Sequence, residues 1–417
     1  MKSREKAVLA ALRRPTQPRV VVEESLDELG RLAESAGALV VGRATQDRRA
    51  PTPGLYFGKG KVEEIKTLSK REGADLMISD DSLSPIQERN LGGSLGVRVI
   101  DRTALILDIF AQRARTMEGK LQVELAQLSY LLPRLVGQWK HLERTGGGIG
   151  TRGPGEMQIE SDRRIIRHRI QKIRDELERV RVHRRLLRDR RKAAGVPVVA
   201  LVGYTNAGKT TLLNRLTGAD RVAADQLFVT LDPTARLVSC PTHASFILTD
   251  TVGFIRKLPT QLVAAFKATL EELTEADVLV HVVDASHPGV DDQVQAVEAL
   301  LGELELMGRP MVVALNKMDR LEPGAARALL ARFDGVAISA RTGEGVEALL
   351  TRLDEALRPR VVRLTLRIPY ADGPALAACY ERGRVLSRRD EPEGIRLEVD
   401  LPRRVVASLE GFRISSS

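Results

Sequence analysis

Cysteine is nearly absent from this chain of 417 residues. Cys240 and Cys379 are the two, and neither sits in a CxxC pair or beside a histidine cluster. That excludes a disulfide framework and a structural zinc site, and makes a reducing cytoplasm the expected location. Aromatic residues are 3% of the chain, too few for stacking platforms that read single-stranded bases. Long apolar runs are missing too: the longest, 196–203 and 278–285, fall far short of the ~18 residues that cross a bilayer. The apolar stretch Ala7 to Leu12 runs straight into Arg13-Arg14-Pro15, which no secretory signal accommodates. Integral membrane association is therefore not expected.

What the chain does have is positive charge. Lys plus Arg number 65 against 55 Asp plus Glu, for a net charge of +10, so an acidic partner is favoured, nucleic acid first among them. The excess is local. From Arg144 to Lys192 sixteen basic residues face seven acidic ones, which accounts for nearly all of it. This stretch follows a heptad spacing of Leu121, Leu125, Leu128, Leu132, Leu135, Trp139 and Leu142, and contains a second seam of Ile166, Ile170, Ile173, Leu177 and Val180. Two long helices paired as an antiparallel coiled-coil hairpin are expected. The first would extend about 30 Å at ~1.5 Å per residue, with a kink at Pro133. The connecting tip, 144–155, holds six glycines between Gly146 and Gly155, so its backbone can approach a ligand closely. A rigid cationic arm with a glycine tip points to RNA phosphates.

The expected architecture is α/β, in four parts. Residues 1–114 form a parallel α/β layer, with strands buried on both faces at Arg19–Val22, Ala38–Val41, Leu76–Ser79 and Val97–Ile100. Helix starts are expected at Ser25 with Glu28, at Ser84 before Pro85, and at Asp101. The basic hairpin takes 115–194, a P-loop domain 195–359, and a small α+β domain 360–417. In the last, Val362, Leu364, Leu366 and Ile368 alternate with polar residues, as do Ile395, Leu397 and Val399.

The P-loop domain carries the most specific signal. The apolar run from Val196 leads into Gly203-Tyr204-Thr205-Asn206-Ala207-Gly208-Lys209-Thr210, a GxxxxGK[ST] pattern between a strand and a helix. Its backbone amides are suited to phosphate oxygens, Lys209 to the β/γ charge and the Thr210 hydroxyl to Mg²⁺. Asp250-Thr251-Val252-Gly253 follows 41 residues after Lys209; the carboxylate suits the magnesium shell and the glycine amide the γ-phosphate. Asn316-Lys317-Met318-Asp319 ends another strand. The Asp319 carboxylate can accept from guanine N1 and the exocyclic amine, which adenine cannot offer, so GTP is the expected nucleotide. Ser339, Ala340 and Arg341 end a further strand, where amides can meet the guanine carbonyl. In the loop Phe228-Val229-Thr230-Leu231-Asp232, Thr230 is the candidate second hydroxyl on Mg²⁺, with Thr234 competing. Lys209, Thr230, Asp250 and Gly253 are thus the candidate catalytic set. Gly58-Lys59-Gly60-Lys61 opens a helix and could hold a phosphate.

With these residues in place, the chain resembles the translation-factor-related GTPases of the TRAFAC class, and more narrowly the HflX family of ribosome-associated GTPases. Beyond the general motifs, the likeness rests on Gly58-Lys59-Gly60-Lys61, the tip Gly150-Thr151-Arg152-Gly153-Pro154-Gly155-Glu156 with Asp162-Arg163-Arg164, and Asp250-Thr251-Val252-Gly253-Phe254. It covers essentially the whole chain. The resemblance implies a monomeric cytoplasmic GTPase that binds the large ribosomal subunit in its GTP form, inserts its arm into ribosomal RNA and splits stalled or idle ribosomes; DNA is not an expected partner. It also marks Asn206 as resembling a potassium ligand of cation-activated GTPases. Phe254 stands where many GTPases carry a water-orienting glutamine, so slow intrinsic hydrolysis is expected. Two other readings compete. One is an RNA-binding assembly or scaffold factor with incidental turnover. The other, a GTPase of transfer-RNA modification, is disfavoured because no cysteine motif stands near the C-terminus.

Overall fold

The computed structural model describes residues 4–135, 154–193, 196–218, 227–228, 234–239, 245–257, 273–357 and 361–414. The chain forms two compact units. One comprises Met1–Arg179, Gln226–Leu231 and Arg256–Phe266, and the other Val180–Asp225, Asp232–Ile255 and Lys267–Ser417.

In the first unit, β1 (Lys6–Arg13), α1 (Arg19–Ser35), β2 (Leu39–Asp47), α2 (Lys59–Glu72), β3 (Leu76–Ser79), α3 (Pro85–Leu95), β4 (Arg98–Asp101) and α4 (Arg102–Arg113) alternate. The strands pair in parallel in the order β2-β1-β3-β4. Strands β1 and β3 are buried almost throughout because helices cover both faces. Val8, Ala10, Met77 and Val99 build one core with Ile65 of α2 and Leu91 of α3.

Several expectations change here. The first strand is the Ala7–Leu12 run itself. Arg19–Val22, expected as a strand, is the first turn of α1, whose buried Val22, Leu26, Leu29, Leu32 and Ala33 follow the helical period; four apolar residues alone cannot distinguish the two periods. Ser25 and Glu28 consequently lie mid-helix, and their side chains turn to Asp80 and Arg102. Strand β2 lies at the sheet edge and is only partly covered. The other helix starts stand: Ser84 and Gln87 form a capping box ahead of Pro85, and Asp101 accepts from the Ala104 amide.

Next come α5 (Met117–Leu131), capped by Thr116, and α6 (Pro154–Ala193). Helix α5 packs on α4. It therefore buries a broader face of Leu121, Val123, Ala126 and Tyr130, while Leu125 and Leu128 of the expected seam are half-buried. Pro133 does not kink this helix. The helix stops at Leu131 and Pro133 lies in the turn that follows, because proline has no amide to continue the ladder. Ile170 and Ile173 of α6 are buried, and Arg169 donates to both oxygens of Glu124 at 2.6 and 2.8 Å. Trp139, Leu142 and 144–153 of the tip lie outside the described residues.

The second unit contains β5 (Val198–Val202), α7 (Lys209–Thr217), β6 (Thr234–Val238), β7 (Phe246–Asp250), β8 (Val278–Asp284), α8 (Val290–Glu303), β9 (Met311–Asn316), α9 (Pro323–Arg332), β10 (Gly335–Ala337) and α10 (Val346–Leu357). Its sheet runs β10-β9-β8-β5-β7-β6, parallel except for β6. The carboxyl ends of β5, β7, β8 and β9 share one edge, where open α/β sheets bind ligands. The C-terminal part runs strand, helix, hairpin and helix: β11 (Val361–Ile368), α11 (Gly373–Arg382), β12 (Arg384–Glu391), β13 (Gly394–Pro402) and α12 (Arg403–Leu409), β11 and β13 being the two expected alternating strands. Its antiparallel sheet, β11-β13-β12, buries Leu364, Leu366, Ile368, Ile395, Leu397 and Val399 under the helices. Cys379 belongs to this core; burial pushes its thiol up to about 11, so it serves packing rather than chemistry. No described helix is long and apolar enough to cross a membrane.

Candidate nucleotide site

The loop from β5 to α7 is shaped by its neighbours as well as by any ligand. Gly203 has φ +149, and a Cβ there would lie 2.2 Å from the Val282 carbonyl oxygen. Gly208 has φ +97, with a Cβ position 2.2 Å from Asn316 Nδ2. Both glycines are therefore demanded by close approach to β8 and β9. Asn206 holds a positive φ of 62° between them. Lys209, the first residue of α7, is buried and donates to the carbonyls of Gly203 at 3.0 Å and Tyr204 at 2.8 Å. Burial pulls its pKa down to about 8, against the opposing pull of Asp250.

Thr210 donates its hydroxyl to Asp250 Oδ2 at 2.8 Å, so the two hard-oxygen groups expected at a magnesium ion are neighbours. Thr251 is not aimed at a ligand; its hydroxyl is buried and bonds to the Leu201 carbonyl at 2.7 Å. After Val252 the chain presses on the P-loop. A Cβ on Gly253 would sit 2.8 Å from Thr205 Cα and 3.1 Å from Lys209 Nζ. Phe254 then pairs with the loop backbone: its carbonyl accepts from the Thr205 amide at 2.7 Å and its amide donates to the Gly203 carbonyl at 3.1 Å. The Phe254 ring is buried.

On the base side, Asn316 is buried and reaches no solvent. Its Nδ2 donates to the Ala207 carbonyl at 2.7 Å and its Oδ1 accepts from the Ala340 amide at 2.9 Å. It ties the P-loop to the Ser339–Arg341 loop. Asp319 is the group left to face a base. Its carboxyl is held below the usual range by a hydrogen bond from Ser339 and then by Arg341, whose Nη2 lies 2.7 Å away. Lys317, in the left-handed conformation, pairs with Asp284 at 2.6 Å, and the Met318 amide donates to the Ile338 carbonyl.

Two contributors escape the motif spacing. Asp284 ends β8 directly beside Asn316 of β9, a position an apolar run ending in a polar residue does signal. Arg215 of α7 donates to the carbonyls of Ala340, at 3.4 Å, and Arg341, and nothing in the sequence marks it. Phe228 belongs to the first unit, where its ring meets Phe110 edge-on at 4.7 Å. Val229, Thr230, Leu231 and Asp232 lie outside the described residues. Among the described residues no group of three His, Cys, Asp or Glu is placed to hold a metal.

Family models match in series along the chain. They are a GTP-binding GTPase N-terminal region over 23–111, a GTP-binding GTPase middle region over 113–191, a 50S ribosome-binding GTPase over 198–317, and an HflX C-terminal domain over 326–412. The GTPase HflX of Caldanaerobacter subterraneus subsp. tengcongensis is 46% identical over 417 residues, covering 99% of this chain and 95% of the relative. The chain belongs to the HflX family of GTPases. The Escherichia coli (strain K12) GTPase HflX is 48% identical, covering 91% of this chain and 90% of that one. A GTP-binding protein from Sulfolobus solfataricus, crystallised with GDP, is 26% identical over 84% of this chain and 98% of its own, with a TM-score of 0.45. In HflX family terms, the P-loop, the 250–253 segment and 316–317 fall in the ribosome-binding GTPase match, and Ser339–Arg341 fall in the HflX C-terminal match. This is a P-loop GTPase, a GTP hydrolase.

Proposed function

We propose that this GTPase binds the large ribosomal subunit in its GTP state through the basic arm of 115–194, splits or rescues stalled or idle ribosomes, and leaves once GTP is hydrolysed. The observation that carries the reading is the arrangement of Lys209, Thr210, Asp250 and Gly253 around one loop, in a chain whose 198–317 segment matches a 50S ribosome-binding GTPase. Contacts to the γ-phosphate favour the ribosome-bound conformation, and hydrolysis removes that preference. The arm supplies ribosomal RNA affinity through charge. The protein acts as a monomer in the cytoplasm.

In this reading Lys209 neutralises the β/γ oxygens. Its burial makes the bare ammonium unfavourable, and nucleotide phosphates restore it. Thr210, Asp250 and Thr230 hold Mg²⁺; the hydroxyl and carboxylate 2.8 Å apart are the hard donors that ion prefers. Bound there, magnesium neutralises phosphate charge. Asn206 adds a potassium ligand. Asp319 reads guanine, aided by the Ser339–Arg341 amides, and Asn316 holds the two loops in register. Phe254 positions no water, since its ring is buried and its backbone is committed to the P-loop. Hydrolysis alone is slow and waits for the ribosome.

The test is GTP turnover in potassium and in sodium buffers, alone, with large subunits and with intact ribosomes, while light scattering follows subunit separation. Stimulation by large subunits together with splitting supports the reading. Turnover indifferent to ribosomes with no splitting would favour an RNA-binding assembly factor, and equal rates in the two salts would remove the potassium role.

A further inference from the structure

Helix α7 runs from the P-loop towards the loop of Ser339–Arg341. Lys209 and Thr210 open it, and Arg215 stands in its last turn, about 9 Å further along the axis. No motif calls for a cation there. Arg215 Nε donates to the Ala340 carbonyl at 3.4 Å, and Nη2 donates to the Arg341 carbonyl. Two successive carbonyls thus share one planar guanidinium, whose rigid fork holds both with less loss of side-chain freedom than two separate donors would. Gly343, at φ +94, lies against the same group; a Cβ there would sit 3.7 Å from Arg215 Cζ.

These carbonyls decide where the loop amides point. The Ser339 amide donates to the Glu344 carbonyl at 2.9 Å, the Ala340 amide to Asn316 Oδ1 at 2.9 Å, the Thr342 amide to Ser339 Oγ at 3.2 Å and the Gly343 amide to the Ser339 carbonyl at 2.8 Å. The Arg341 amide, between them, meets no acceptor among the described residues. It shares a peptide plane with the Ala340 carbonyl, and in a trans peptide the two point opposite ways; the described chain has no cis bond. With that carbonyl drawn to α7, the Arg341 N–H is turned away from the helix.

Asp319 is tied to the same residue. Its Oδ2 accepts from Arg341 Nη2 at 2.7 Å, and Ser339 also hydrogen-bonds to it. A guanine held at Asp319 through N1 and the exocyclic amine presents its C6 carbonyl next to N1, as an acceptor in need of a donor. A donor and an acceptor that are both withdrawn from water cost free energy unless they meet.

We propose that Arg215 is a positioning residue for base specificity: by holding the Ala340 and Arg341 carbonyls it aims the Arg341 amide at the C6 carbonyl of guanine. It acts through the loop backbone rather than on the nucleotide. This rests on the reading of Asp319 and the Ser339–Arg341 loop as the base site.

The test is calorimetric titration of the full chain with guanosine, 6-thioguanosine and inosine diphosphates. Sulfur in place of the C6 oxygen changes only the acceptor that the Arg341 amide meets, and inosine lacks only the amine that Asp319 reads. The natural sequence should prefer guanosine over 6-thioguanosine diphosphate by about tenfold, the scale of one hydrogen bond. Arg215→Met keeps the apolar stem and removes the donors. It should bring those two ligands within about twofold of each other while the preference for guanosine over inosine diphosphate persists. Arg215→Lys, which can still donate to one carbonyl, should recover part of the lost discrimination. Equal weakening of all three ligands by Arg215→Met would reveal a merely structural role and overturn the assignment, as would an unchanged discrimination against sulfur. A natural protein that does not prefer guanosine over inosine diphosphate overturns the base-site reading and this inference with it. One that does, yet binds the thio ligand equally well, overturns the inference alone. Arg215 is exposed, so the fold should survive its loss; should Arg215→Met unfold the chain, Arg215→Ala applies the same criterion.

Discussion

Replacing Asn316 with alanine separates holding the loops from reading the base. The substitution removes two buried hydrogen bonds, 2.7 Å to the Ala207 carbonyl and 2.9 Å from the Ala340 amide, and strands both partners. Each bond is worth roughly 1 kcal/mol net, and each stranded buried group costs about 1–3 kcal/mol more, so the two loops lose at least about 4 kcal/mol of mutual support. Nucleotide must then re-order them on binding. If about 2 kcal/mol of that loss appears in affinity, GDP binds roughly 30-fold more weakly. Base choice should be unchanged, because the buried amide has no free face to offer guanine. Asp319→Asn should do the opposite. An amide in place of the carboxylate presents one donor and one acceptor, which suits the C2 carbonyl of xanthine and repels the guanine amine, so preference should shift towards xanthosine diphosphate by about 100-fold. Calorimetric titration of both variants with both diphosphates provides the comparison. An Asn316→Ala protein that binds GDP within about threefold of the natural sequence, or that loses base preference, would refute the reasoning.

Three further outcomes follow from the same geometry. With its pKa pulled down to about 8, Lys209 burdens the folded state below that pH. The unfolded chain binds the extra proton between about pH 8 and 10.5, so this contribution to stability rises with pH across that window, and nucleotide binding near pH 8.5 should take up roughly three quarters of a proton. Titrations in buffers of different ionisation enthalpy measure it, and zero uptake would contradict the buried-lysine account. Gly253→Ala places a methyl 2.8 Å from Thr205 Cα; single-turnover GTP hydrolysis should fall at least about tenfold, the scale of losing one phosphate donor, while the fold by circular dichroism stays intact. Arg102→Met strips the internal cation from Glu28 and Asp80 and should destabilise the first unit by about 3–5 kcal/mol in urea unfolding, and a loss below about 1 kcal/mol would mean these carboxylates are not desolvated.

The sequence by itself determined whatever is local in the chain. The P-loop pattern, the strand-end Asp250, the capping residues Ser84 and Asp101, and the alternating strands of the C-terminal sheet each read correctly because turn chemistry and a period of two are written in neighbouring residues. The expected α/β class, with a parallel N-terminal layer and a small α+β C-terminal domain, follows from the same signals, and the C-terminal sheet proves antiparallel. Short apolar runs were the weak point: Arg19–Val22 and Ala7–Leu12 are both too short for a period to show, and only the faces they bury made one a helix and the other a central strand. Tertiary structure alone decided where polar side chains turn. The sequence sets Asn316 three residues before the base-reading Asp319, and only β8 and β9 lying side by side bury it between two loops. Arg256 and Lys257 look like an ordinary basic pair until Glu24, Asp80 and Asp81, more than 170 positions earlier, meet them. Electrostatic partners of that separation are set by how helices and strands stack, which no window along the chain contains.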